Sequence, residues 1–81
     1  MSPMVTVRLF AVLREIAGDS YVEAEGASVD EVVQALCDRF GERFTAVVQR
    51  STVVVGDEKV SLETPLTGTE EVALLPPVAG G

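Results

Sequence analysis

The chain has 81 residues, 47% of them hydrophobic and 23% charged, with a formal net charge of −7. This composition describes one small domain, too apolar for a disordered chain and without the roughly 18–20-residue apolar run that a membrane span needs. The acidity disfavours phosphate backbones as partners, and the absence of histidine beside a single cysteine excludes a cysteine–histidine zinc site, an internal disulfide and any histidine-based triad or general base.

The opening "MSPMVTVRLF" lacks a basic segment followed by a long apolar one, so no signal peptide is expected and the expected location is cytoplasmic. Within it, "MVTVRLF" alternates. Val5, Val7 and Leu9 point to one face, and Met4, Thr6, Arg8 and Phe10 to the other, the pattern of a strand with one side on a core. In "AVLREIAG", Val12, Leu13 and Ile16 have helical spacing, and Gly18 can close a helix of about two turns. "SYVEAE" predicts a second strand pairing back on the first.

"SVDEVVQALCDRFG" carries the clearest local signal. Ser28 and Glu31 have capping-box spacing, and Asp30 and Glu31 complement the positive end of the helix dipole. Val29, Val32, Val33, Leu36 and Phe40 recur every three or four residues. Gly41 follows where a left-handed residue ends a helix, so the main helix is predicted over 29–40. "ERFTAVVQR" fits either a further helical turn or an irregular crossing. "STVVVGDEKV" reads as a strand, a Gly56-Asp57 turn and a short return strand. "LETPLTGTEE" is a turn-rich connection from which Leu66 can plug the core, and "EVALL" is a last strand with Val72 and Leu74 on one face. The result is a two-layer α+β domain, its sheet covered by a helix on one side. The apolar first and last strands are expected side by side at the centre, which puts the carboxy-terminal segment at the rim.

Few side chains here suggest chemistry. Cys37 adjoins Leu36 at the edge of the apolar helix face and reads as packing, with no arginine or histidine at helical spacing to activate it. Asp30-Glu31, Asp57-Glu58 and Glu70-Glu71 read as a helix cap, a hairpin turn and a strand entry rather than as an acid–base pair. Arg14-Glu15 is a charged pair on the first helix, solvated or in contact with a partner. The net acidity either steers a basic partner or only keeps the domain soluble.

The stretch "LLPPVAGG" stands apart. Pro76 and Pro77 have no N–H and fix φ, so they end sheet pairing and hold the chain extended. Residues 76–81 are read as an extended, flexible tail after a domain over 1–75, with a reach of at most about 20 Å. Gly80 and Gly81 have no Cβ, so a narrow channel admits them and a partner's backbone can come close. The Gly81 α-carboxylate, ionised at neutral pH, is a candidate nucleophile toward the α-phosphate of ATP. The same glycines also fit a terminus that simply frays.

"VRLFAVLREIAG" and "PLTGTEEVALLPPVAGG" together resemble the small subunits of molybdopterin synthase, which belong with the thiamine sulfur carrier and ubiquitin among the β-grasp proteins. The resemblance covers nearly the whole chain and is most specific at its end. It implies a ubiquitin-like β-grasp fold, a mixed sheet of four to five strands with one main helix on one face. It implies that a ubiquitin-activating-type adenylyltransferase uses Mg·ATP to adenylate Gly81. A persulfide-derived sulfur then displaces AMP to leave a thiocarboxylate, and the tail enters the large synthase subunit to sulfurate cyclic pyranopterin monophosphate. The active form implied is a heterotetramer, the chain being a carrier without cofactor, metal or catalytic site of its own.

Docking is expected on the sheet face away from the helix. Phe10, Ala73 and Leu75 fall there by alternation, with Arg14 and the tail residues Pro76, Pro77, Val78 and Ala79 as further contacts, unless Phe10 is partly covered by the chain's own loops. Lys59 in the hairpin, where an apolar residue is usual, and "TGTEE" in place of a "DGDE"-like turn depart from the family pattern. Rival readings are a sulfur carrier for thiamine, cysteine or tRNA thiolation, a ubiquitin-like modifier joined to lysines through Gly81, and a non-covalent binding domain with an inert tail.

Overall fold

A computed structural model describes residues 2–77. In chain order the elements are β1 (Met4–Leu9), α1 (Ala11–Ala17), β2 (Tyr21–Glu25), α2 (Val29–Phe40), α3 (Glu42–Val48), β3 (Thr52–Val55), β4 (Glu58–Lys59) and β5 (Glu71–Leu75). The strands form one mixed sheet in the order β2-β1-β5-β3-β4. β1 and β5 are parallel, with Val7 beside Val72 and Leu9 beside Leu74. All other pairings are antiparallel. This is the ubiquitin-like β-grasp architecture, with the first and last strands together in the middle of the sheet.

The core forms where strand and helix periodicities meet. Val5, Val7, Leu9, Val72 and Leu74 on the inner sheet face pack with Leu13 of α1, Val29, Val32 and Leu36 of α2, and Phe44 of α3. Each is at most 1% exposed, and such burial is worth about 1.5–3 kcal/mol for each large side chain. Leu66 enters the same core from the loop before β5, 5% exposed.

The main helix has the predicted bounds. The Glu31 N–H donates to Ser28 Oγ at 3.3 Å. The return arm of the box differs from expectation, because Glu31 Oε1 accepts the N–H of Ala27, one residue before the cap, at 2.8 Å. Tertiary structure adds the rest of the cap. The Val29 and Asp30 N–H groups donate to the Thr64 and Leu62 carbonyls at 2.9 and 2.8 Å, so the loop before β5 satisfies donors that a free helix would leave to water.

The ambiguous "ERFTAVVQR" folds as helix α3. Gly41 joins α2 to α3 at φ +92°, ψ −168°, a conformation open to glycine, rather than the left-handed helical cap expected. The break turns the Phe44 ring back onto Phe40, centroids 5.1 Å apart, and into the core. Among the described residues three helices therefore accompany the sheet, two of seven residues beside the twelve-residue main helix. The hairpin has the expected Gly56-Asp57 turn, both residues at positive φ. No helix among the described residues is long and apolar enough to cross a membrane.

Candidate docking face and stem

The alternation that sends Val72 and Leu74 inward sends Ala73 and Leu75 outward from the same strand. β5 lies between β1 and β3, so its outward residues occupy the middle of the open face. Leu75 is 37% exposed, large for an apolar side chain on a central strand. It pairs with Thr52, and Pro76 follows at the rim, half-buried, then exposed Pro77. Neither proline has an N–H with which to extend the ladder. Val78, Ala79, Gly80 and Gly81, and with them most of the expected tail, lie outside the described residues.

Phe10 is the last extended residue of the first strand segment, at φ −122°, ψ 154°. Ala11 then turns the chain into α1 at φ +51°, a conformation unfavourable for an L-residue other than glycine. The turn leaves the Phe10 ring on the open face. There a groove of about 350 Å³ is lined by Phe10, Ala73 and Leu75 together with Arg8, Val54 and Asp57. The structure thus brings together the three apolar residues that alternation assigned to one patch. Arg14 does not join them; it is exposed on α1 and is not among the residues lining the groove.

Arg8 is the residue that sequence reasoning passed over. Its guanidinium carbon lies 4.8 Å from the Phe10 ring centroid and 5.7 Å from that of Tyr21, its cross-strand partner. Alternation had placed it on this face, but an arginine on an open strand face reads as solvated unless its aromatic neighbours are known. Glu71 also lines the groove, opposite Thr6 in register.

The other candidates resolve into structure. Cys37 is half-buried at the edge of α2 and packs against the core. Asp57 occupies the hairpin turn. Glu70 closes its own turn: its Oε1 accepts the Thr67 and Gly68 N–H groups at 2.9 and 3.0 Å. These bonds, that from Thr67 foremost, hold its carboxyl below the usual glutamate range. Among the described residues no group of acidic residues, histidine or cysteine could hold a metal ion. The site is therefore a groove lined by both apolar and charged residues, next to a proline stem.

Comparison with known proteins places this geometry. The chain matches solved structures across nearly its whole length. The small archaeal modifier protein 1 of Methanosarcina acetivorans is 27% identical with a TM-score of 0.88, covering 100% of this chain and 99% of its own. A chain of the Amycolatopsis orientalis BexX/CysO complex is 32% identical with a TM-score of 0.79, covering 95% and 99%. A chain of the Helicobacter pylori complex of subunits 1 and 2 of molybdopterin-converting factor is 25% identical with a TM-score of 0.68, covering 96% and 99%. No curated protein matches. The model of the ThiS family matches residues 7–81, from the middle of β1 through β5 and the segment beyond it. With that match over almost all of its length, the chain belongs to the ThiS family of ubiquitin-like sulfur carriers.

Proposed function

We propose that this sulfur carrier is the small subunit of molybdopterin synthase, with Gly81 as its working residue. In this reading the Gly81 carboxylate attacks the α-phosphate of Mg·ATP held by a ubiquitin-activating-type adenylyltransferase, and pyrophosphate leaves. The terminal sulfur of a protein persulfide then displaces AMP from the acyl carbon, and a thiol of the partner reduces the resulting acyl disulfide, itself ending in a disulfide, to release the thiocarboxylate. The thiocarboxylate enters the large synthase subunit and gives up its sulfur to cyclic pyranopterin monophosphate, within a cytoplasmic heterotetramer. The partner enzymes supply the cations and N–H donors that stabilise developing charge. This chain supplies a carbonyl carbon without a neighbouring Cβ, a stem and a docking face.

The observation that carries the reading is the position of β5. The central strand ends on exposed Leu75 beside the groove lined by half-buried Phe10 and Ala73, so a segment leaving through Pro76 and Pro77 starts at the edge of that groove. A partner seated on Phe10, Ala73 and Leu75 would then meet the stem at its own rim. The similarity to a chain of a molybdopterin-converting-factor complex supports the choice of pathway.

Intact mass spectrometry of the protein from its own cells tests the chemistry. The expected result is a species in which one sulfur replaces one oxygen. A Gly81→Val protein should keep the wild-type fold and show no such species; normal sulfur loading of that variant would refute the assignment. Recovery of a thiazole synthase in place of a large molybdopterin synthase subunit would move the carrier to another pathway.

A second reading has its own support. The full-length similarity to a small archaeal modifier protein favours a ubiquitin-like modifier whose Gly81 joins lysines of target proteins. Higher-mass conjugates in cells that vanish when Gly81 is deleted would establish it.

A further inference from the structure

The groove beside the stem is not uniformly apolar, and its charges have an order. Among the described residues that line it, Arg8 is the one cation, while Asp57 and Glu71 are the anions. Arg8 lies in register between Tyr21 on β2 and Ala73 on β5, on a central strand of the open face. Two aromatic rings flank its guanidinium, at 4.8 and 5.7 Å. Such cation–π contacts restrict a long side chain before any partner arrives, which lowers the ordering cost of binding. The planar fork of arginine matches a carboxylate, to which it can donate two parallel N–H bonds.

The rest of the chain makes this position unusual. With a net charge of −7 the protein as a whole attracts cationic surfaces. A uniformly basic partner laid over the open face would nevertheless meet Arg8 on β1, next to the middle strand. A uniformly apolar one would cover that charge without replacing its water, leaving an uncompensated ion at the interface. Only a mixed surface avoids both penalties.

We propose that Arg8 is a specificity-determining residue of the docking face. It selects a partner that places a carboxylate over β1, beside an apolar side chain seated on Phe10, Ala73 and Leu75. The same partner carries basic groups opposite Asp57 and Glu71. Like-charge contact at Arg8 rejects acidic-binding proteins that lack the carboxylate, while the net field draws the correct partner in. This inference rests on the docking-face reading of the function.

The test measures binding of the full-length chain to two purified probes, the large subunit of molybdopterin synthase and the adenylyltransferase, at low and high salt. The variants are Arg8→Glu, Arg8→Gln, Arg8→Lys and, as the control for the face itself, Phe10→Ala. Thermal unfolding confirms that each is folded. For at least one probe, Arg8→Glu is expected to weaken binding by more than about ten-fold. Arg8→Gln should weaken it less, and Arg8→Lys should restore part of the loss. The salt dependence of binding should change with the charge at position 8, which a purely structural role would not produce. If Phe10→Ala weakens binding and the three Arg8 variants do not, the role of Arg8 is refuted while the docking face stands. If neither set weakens binding, or the wild-type chain binds neither probe, the docking-face reading falls and this inference falls with it.

Discussion

The two faces of the sheet are built from the same strands and have opposite duties. On the covered face, Val5, Val7, Leu9, Val72 and Leu74 are sealed beneath three helices. One residue away on each strand, Arg8 and Leu75 are exposed on the open face and Thr6 and Ala73 are half-buried there. The difference shows how a domain this small combines stability with docking. The inner positions hold the fold, and the outer ones are left free to carry an exposed leucine, a groove and a cation. β5 carries the contrast in five residues, and the chain continues from it into the stem.

Substitution at neighbouring positions of that strand breaks the comparison most directly. Leu74→Ala removes a fully buried side chain and should cost about 2–5 kcal/mol. That is a large share of the roughly 5–15 kcal/mol typical of a domain, so the urea midpoint should fall sharply. Leu75→Ala, next along the chain, should shift stability by no more than about 0.5 kcal/mol and act on partner binding instead. Equal destabilisation by the two would show that the open face is covered in solution.

A smaller effect is expected where the covered face closes at the entry to α2. A Cβ added at Gly26 would meet the Val32 N at 2.7 Å, and backbone cannot yield as a flexible side chain does. Gly26→Ala should therefore cost about 1–3 kcal/mol, read from the same unfolding curves. The opposite sign is expected at the edge of the open face. Ala11 holds φ +51°, so Ala11→Gly should relieve strain and raise stability by up to about 1 kcal/mol. If it also weakened docking, the turn would be shown to hold the Phe10 ring in place.

The smallest effect concerns the turn before β5. The Glu70 carboxyl lies below its ordinary range because it accepts N–H groups from Thr67 and Gly68. A carboxylate with a lowered folded pKa stabilises fully above its unfolded value, about 4.3, and loses that contribution as pH falls through the folded value. Wild type should therefore lose slightly more stability than Glu70→Gln between about pH 5 and the lower folded value. Parallel pH profiles would show that the turn holds without the carboxylate.

Local signals were legible where one segment satisfies its own needs. The bounds of α2 followed from Ser28, Glu31 and the apolar spacing, and the hairpin from Gly56-Asp57. The seven residues of α3 were not legible, because a helix so short is marginal on its own and exists here through Phe44 packing on Phe40 and the core. Gly41 ends α2 at positive φ as read, but its ψ of −168° departs from the left-handed helical value because the same residue starts α3. In the site, alternation gave Phe10, Ala73 and Leu75 a common face. It gave no means of seeing that Tyr21 and Phe10 flank Arg8, or that Arg14 lies away from the groove.

What the sequence determined by itself is the set of faces, since a period of two or of 3.6 residues fixes which side chains share a side before any partner strand is chosen. Its motifs also fixed the resemblance to a sulfur-carrier family. Only the tertiary structure decided the order of the strands, the loop that caps α2, and the mixed charge around the groove. Each depends on segments far apart in the chain, and their meeting is set by packing of the shared core rather than by any local preference.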